Sequence, residues 1–228
     1  MQLEKVTDST KSATKRWYDD ACGTALAMEL VGERWSLLIV RELMFGPRRF
    51  GELRASLNGI SANVLTQRLE GLEEADILKR RKLPPPANVQ VYELTPWGYE
   101  SEVAIQELGR WAVRSPRHDP TLPLSAASLM MSMRTMYAGG ATMTVGFRLG
   151  VETFLAVLTP DEISIRRADP DGAQLLWIAD QHAIAAVIYG GYPLADALAD
   201  GSIRLVGDLA LAERYIKLFP LPSKLGVE

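Results

Sequence analysis

Ser61-Ala-Asn-Val-Leu-Thr-Gln-Arg-Leu-Glu-Gly-Leu-Glu-Glu-Ala75 is followed by Ile77-Leu-Lys-Arg-Arg-Lys-Leu83 and then by Val89-Gln-Val-Tyr-Glu-Leu94. In the first segment Val64, Leu65, Leu69 and Leu72 recur at helical spacing, and Ser61 is placed to cap the first turn. Burying those residues leaves Asn63, Thr66, Gln67 and Arg68 on more exposed positions near the helix start. The other two segments read as strands. Pro84-Pro-Pro-Ala-Asn88 joins them and favours a stiff, projecting hairpin, whose first strand carries Lys79, Arg80, Arg81 and Lys82 in succession.

Upstream, Ala21 to Val31 carries Leu26, Met28, Leu30 and Val31, with Gly32 as its terminator. A second helix is expected from Trp35 to Met44, stopping at Gly46-Pro47, and a third from Arg49 to Ser56 with Phe50, Leu53 and Leu57 inward. Asn58-Gly59 turns the chain into the helix from Ser61. Downstream, Thr95-Pro96 opens a helix reaching Val113, with Val103, Ala104, Leu108, Trp111 and Ala112 as apolar members. Its position outside the compact helical core makes it a candidate dimer element, packing within its own domain being the plainer alternative.

Helix, turn, helix and basic hairpin in this order describe a winged helix-turn-helix. In that arrangement the start of the second helix enters the major groove, where Asn and Gln suit adenine and Arg suits guanine. Cations along the hairpin would follow the phosphate backbone. The candidate DNA contacts are Arg48, Arg49, Ser61, Asn63, Thr66, Gln67, Arg68, Lys79, Arg80, Arg81, Lys82 and Asn88. Taken alone, the helix from Ser61 is equally readable as a solvated face.

Charge is distributed to match. The formal net charge is −3, yet Arg48 to Tyr92 holds eight basic and five acidic residues, whereas Pro116 onward holds nine basic and twelve acidic. A basic segment joined to an acidic one suggests divided labour. Pro116, Pro120 and Pro123 mark an extended linker between the two. The expected domains are a winged helix over 20–113 after an N-terminal extension over 1–19, a linker over 114–121 and a second domain over 122–228.

The second domain reads as α+β with a mainly antiparallel sheet. A Met- and Leu-rich helix spans Leu122 to Ala138, with Leu129, Met130, Met133 and Met136 at helical spacing. Strands are expected at Ala141 to Arg148, Glu152 to Leu158, Glu162 to Arg167, Ala173 to Trp177 and Ser202 to Val206. Asp180 caps a helix to Tyr189, Pro193 to Leu198 forms another, and Gly207-Asp208 starts a last one with Leu209, Ala212, Ile216 and Phe219 on one face.

Cys22, Gly32-Glu-Arg-Trp35, Arg41-Glu-Leu43, Gly46-Pro-Arg-Arg-Phe50, Glu52-Leu53, Ile60-Ser61, Leu65-Thr-Gln-Arg-Leu69, Leu72-Glu73, Pro85-Pro86 and Val91-Tyr-Glu-Leu-Thr95 with Gly98 resemble the HxlR family of bacterial winged-helix regulators. The resemblance covers residues 20 to 113. It implies a homodimer built by the first and last helices of the domain, with the helix from Ser61 in the major groove of double-stranded DNA. Two-fold symmetry makes an inverted-repeat operator the expectation. Many members carry Arg or Lys where this chain has Asn63, a departure that implies a different base read there or a weaker phosphate contact. Cys22 matches a position that some relatives use as a redox sensor, although a small buried cysteine on an apolar helix is the simpler reading.

Gly190-Gly-Tyr-Pro-Leu-Ala-Asp-Ala-Leu-Ala-Asp-Gly-Ser-Ile-Arg-Leu-Val-Gly-Asp208 with its following apolar helix resembles the sterol-carrier-protein fold. That resemblance implies an apolar ligand held between sheet and helices, for which Trp177, Ile184, Ile188, Tyr189, Leu205 and Phe219 are the candidates. The same residues would serve equally well as packed core. A second domain that is only structural, or a lipid carrier with an attached interaction module, therefore stays open.

Other functions are disfavoured. Cys22 is the single cysteine, so neither an internal disulfide nor a multi-cysteine zinc site can form. His118 and His182 have no neighbouring ligand or nucleophile, and no nucleophile elbow, P-loop or dinucleotide fingerprint is present. No cofactor and no enzyme activity are expected. Lys5, Lys11, Lys15 and Arg16 without an apolar run give no secretory leader, and no segment is apolar over a membrane's width, so a cytoplasmic protein with no membrane partner is expected.

Overall fold

A computed structural model describes residues 18–226. The charged stretch read above as lacking a leader, and most of the expected N-terminal extension, lie outside the described residues. No helix among the described residues is long and apolar enough to cross a membrane.

The first half consists of α1 (Gly23–Val31), α2 (Ser36–Leu43), α3 (Phe50–Ser56), α4 (Ala62–Glu74), β1 (Leu78–Lys82), β2 (Gln90–Leu94), α5 (Pro96–Glu100) and α6 (Glu102–Ala112). Local chemistry sets these boundaries. Ser61 Oγ accepts the Val64 amide at 3.2 Å and starts α4, and the Glu52 carboxylate accepts the Arg49 amide at 2.8 Å at the start of α3. Ile39, Leu43, Leu53, Leu65, Leu69 and Leu72 close the core of this half. β1 and β2 pair antiparallel from Leu78↔Leu94 to Lys82↔Gln90. The backbone of Arg48 adds a third rung, exchanging hydrogen bonds with Tyr92 at 2.9 and 2.8 Å.

One expected helix is two. The run from Thr95 breaks at Ser101, whose hydroxyl and amide both donate to the Gly98 carbonyl and close a local turn in place of the helical ladder. Gly98 itself has no room for a side chain, since a Cβ there would lie 2.1 Å from the Ile77 carbonyl oxygen. That close approach seats α5 directly on the entry to β1.

The second half comprises α7 (Ala126–Met136), β3 (Met143–Leu149), β4 (Glu152–Leu158), β5 (Ile163–Arg167), β6 (Leu175–Ala179), α8 (Gln181–Ile188), α9 (Leu194–Ala199), β7 (Ile203–Gly207) and α10 (Leu209–Ile216). The strands form one sheet in the order β5-β4-β3-β6-β7, antiparallel except for the parallel pair β3 and β6. The protein is thus α+β, with an N-terminal helix-turn-helix and a C-terminal sheet. Ser125, Asp180 and Asp208 cap α7, α8 and α10 through side-chain oxygens.

The two halves share one continuous apolar cluster. Its hub is α7, in which every residue except Ser132 and Arg134 is buried. This helix packs against α2 and α6 on one side and β5 and α8 on the other. Phe45 meets Phe154 edge-on at 5.7 Å, and the Arg134 guanidinium lies 4.5 Å above the Phe45 ring. The segment expected as an extended linker is held as well: the Leu225 amide donates to the Arg114 carbonyl at 2.8 Å, and Lys224 Nζ donates to the Ser115 carbonyl at 3.2 Å.

Beside Phe45 the seam holds an ion cluster. Glu152 accepts from Arg48 at 2.5 Å and from Arg167 at 3.0 Å. Burial pulls the Arg167 pKa below its ordinary value, and the charge of Arg48 pulls it further. One carboxylate therefore holds two guanidinium groups in a poorly solvated place. Glu152→Ala strips Arg167 of its carboxylate and leaves Arg48 with only Glu52 at 3.6 Å, so it is expected to cost about 3 kcal/mol in urea denaturation. Arg167→Ala leaves the Arg48–Glu152 pair intact and is expected to cost clearly less; equal losses would mean that Glu152 does not bridge the two.

Candidate nucleic-acid interface

On α4 the positions Asn63, Thr66, Gln67 and Glu70 are exposed while Leu65, Leu69 and Leu72 are buried. The exposed four follow spacings of three and four and so share one outward face. The cap at Ser61 fixes where this face begins. Asn63, Thr66 and Gln67 thus stand together at the helix start, with acidic Glu70 beyond them.

Arg68 is different. Its guanidinium pairs with Glu33 at 2.8 Å and donates from Nε to the Arg34 carbonyl at 3.0 Å, tying the middle of α4 to the turn before α2. It is a brace within the domain as well as a cation near the helix.

The hairpin cations divide between two faces, because successive residues of a strand alternate. Lys79 and Arg81 pair with Glu93 across the ladder at 3.1 and 2.7 Å. Arg80 turns the other way and meets Glu73 of α4 at 2.5 Å. The Arg80 guanidinium holds the Glu73 carboxyl below its usual range, and hydrogen bonds from Arg81 and Lys79 lower that of Glu93 against the opposing effect of burial. Lys82 has no carboxylate partner among the described residues. Asn88 lies exposed in the connection, with φ of 44°.

Arg49 is exposed at the start of α3, but Arg48 is only 7% exposed and belongs to the seam. The expectation that Arg48 touches DNA is corrected: Glu152, Ser56 and Glu52 surround its guanidinium. Sequence reasoning passed over Arg54, which is exposed on α3.

Cys22 is also corrected. It is exposed at the N-cap of α1 rather than buried, and hydrogen bonds from the backbone and side chain of Thr24 lower its thiol pKa. The α1 helix buries none of its residues, although Leu26 and Met28 are apolar. On α6 the outward side chains include Val103, Leu108 and Trp111, the last 72% exposed.

The six expected ligand residues belong to the packed core and its margin, and none borders the cleft at the seam of the two halves. Trp177, Ile184, Ile188 and Phe219 are buried in the sheet-to-helix core, with Tyr189 and Leu205 packed at its margin. Tyr215, which sequence reasoning did not single out, fills the centre: its ring lies 6.1 Å from Trp177, 6.2 Å from Phe147 and 4.9 Å from Phe219. Among the described residues no three His, Cys, Asp or Glu side chains gather as a metal site.

A capped helix with a polar outward face, followed by a basic two-stranded wing, defines the protein as a DNA-binding winged helix-turn-helix regulator. The chain belongs to the HxlR-like helix-turn-helix family, which matches residues 30–119. It is 38% identical over 86 residues to the HTH-type transcriptional regulator YodB of Bacillus subtilis (strain 168), a match covering 38% of this chain and 77% of that protein. An uncharacterized HTH-type transcriptional regulator of Mycobacterium tuberculosis (strain ATCC 25618 / H37Rv) is 44% identical over 85 residues, covering 37% of this chain and 53% of that protein. Among solved structures, the reduced form of YodB is 36% identical with a TM-score of 0.38, covering 41% of this chain and 92% of that one. The family match stops before α7 and leaves the sheet half outside it.

Because Ser61 Oγ is the acceptor for the Val64 amide, Ser61→Ala should destabilise the protein by about 1 kcal/mol, and Ser61→Asp should restore most of the loss. Urea denaturation of the three proteins checks this. Unchanged stability in Ser61→Ala would remove the cap as the element that fixes the start of α4.

Proposed function

We propose that this chain acts as a homodimeric regulator that reads an inverted-repeat operator through α4 and is controlled by an apolar small molecule acting through its sheet half. The observation that carries the reading is the outward group Asn63, Thr66 and Gln67 at the capped start of α4. These side chains meet base edges, while Lys79 to Lys82, Arg49 and Asn88 meet phosphates. On binding, phosphates compete with Glu93 and Glu73 for the wing cations, whose own side chains are exposed. Lys82 contacts phosphate without giving up such a partner.

The dimer reading rests on α1 and α6. Val103, Leu108 and Trp111 of α6 are exposed apolar residues and α1 buries none of its own, so each helix offers an unpartnered face that a second copy would cover. Control by an apolar molecule rests on the resemblance of Gly190 to Asp208 to the sterol-carrier fold and on a sheet half fused to the DNA reader by a shared core. The closed packing around Tyr215 argues against a ligand inside that sheet core and favours one at its border.

Three variants test this reading. Lys82→Ala should reduce the salt slope of DNA binding by about one, and Gln67→Ala should alter sequence preference with little change in that slope. Titration of labelled DNA at several salt concentrations, with selection from a randomised pool, reads both. An unchanged slope in Lys82→Ala would take the wing off the DNA. Trp111→Glu should yield monomers in sedimentation velocity at micromolar concentration; a persisting dimer would place the interface elsewhere.

A further inference from the structure

A cleft of about 1260 Å³ follows the seam between the two halves. Leu38 of α2, with Ala112 and Val113 of the α6 end, forms one wall, and Leu124 with Met131 and Met136 forms the other. The β3–β4 turn at Gly150 and Val151 also borders it. Small-molecule sites commonly measure roughly 300 to 1,000 Å³ and combine apolar walls with a few fixed polar groups. This cleft has both the room and the composition.

The guanidinium and carboxylate groups along it are already paired. Arg48 meets Glu152 and Glu52, and Arg41 meets Glu42 at 2.8 Å. His182 Nε2 accepts the Leu124 amide at 3.0 Å while its Nδ1 faces Asp180 at 2.8 Å, and His118 lies 3.3 Å from Lys224 Nζ. A charged ligand would have to break one of these arrangements. Hydrogen-bonding capacity remains at one point of the wall: the buried Nε of Arg48 has no hydrogen-bond partner and lies 3.6 Å from Glu52, whereas the Ser128 and Ser132 hydroxyls are engaged by Ser125 and Tyr189.

We propose that this cleft is the effector site and that it takes an uncharged, largely apolar molecule bearing hydrogen-bond-accepting oxygens. The inference rests on the reading that a small molecule controls the regulator, and it moves the site from the sheet core to the seam. Arg48 links the site to DNA. Its side chain borders the cleft beside Glu152, while its backbone forms the extra rung on β2 of the wing. An occupant therefore touches both halves and a residue built into the wing, and it shifts DNA affinity to the extent that it binds two arrangements of the seam unequally.

The test uses the full chain and prodan, a neutral naphthalene ketone whose emission moves to the blue in apolar surroundings. Prodan should bind the wild-type protein in the absence of DNA. Ala112→Trp from the α6 side and Ser132→Phe from α7, both checked for native circular dichroism, should weaken binding by about tenfold or more by filling the cleft. Val206→Trp, on an exposed position of β7 outside the cleft, should not. Dodecanoate, apolar but anionic, should displace prodan poorly. Absence of prodan binding, or binding unchanged in both cleft variants, overturns the site; efficient displacement by dodecanoate overturns its uncharged character. Loss of prodan on Ile188→Ala with retention in the cleft variants would return the ligand to the sheet core, leaving small-molecule control standing while the cleft falls. Prodan bound in the cleft without a change in DNA affinity of roughly 5-fold or more would instead remove the control and keep the site.

Discussion

Much of this structure depends on how one carboxylate is shared. Glu152 stands at the start of β4 and holds Arg48 from the DNA-reading half and Arg167 from its own sheet. Desolvating three charges is costly, and the arrangement persists because the surrounding surface is itself needed: Phe45 against Phe154, Arg134 over Phe45, and α7 between the two halves. Arg48 is thereby committed twice, by its side chain to the seam and by its backbone to the wing.

Legibility follows the range of the interaction. The helix expected from Ser61 to Ala75 is found at Ala62–Glu74, and the wing strands fall within a residue of expectation, because caps, apolar spacing and turn residues act over a few positions. β6 starts two residues later than read: the Gln174 side chain and the Thr144 hydroxyl exchange hydrogen bonds with each other's amides, so regular pairing begins at Val145↔Leu175. The break at Ser101 is local too, but serine is tolerated in helices often enough that its identity alone does not announce a turn.

Neither Glu152 nor Phe154 carries any sequence mark of its partner, since Arg48 and Phe45 lie more than a hundred residues earlier. The proline-bearing segment was readable as an extended linker for the same reason, as nothing nearby reveals the shared core or the docked C-terminal segment. For the wing, alternation along β1 was available in the sequence; which acid each face meets was not. For the sheet half, aromatic and aliphatic residues have the same spacing whether they surround a ligand or Tyr215, and only the packing separates the two.

A regulator made this way carries its sheet half against its reader rather than on a tether. Displacements at the seam then reach α2, α6 and the wing through packed side chains, which repack between discrete arrangements more readily than they deform. The most direct measurement of that claim is a double-mutant cycle on Arg48 and Glu152, with unfolding in urea followed by both tryptophan fluorescence and circular dichroism. The account predicts a single transition common to both signals and a coupling energy of about 1 to 3 kcal/mol between the two residues. Two separate transitions with a coupling near zero would show halves that fold independently and would contradict it.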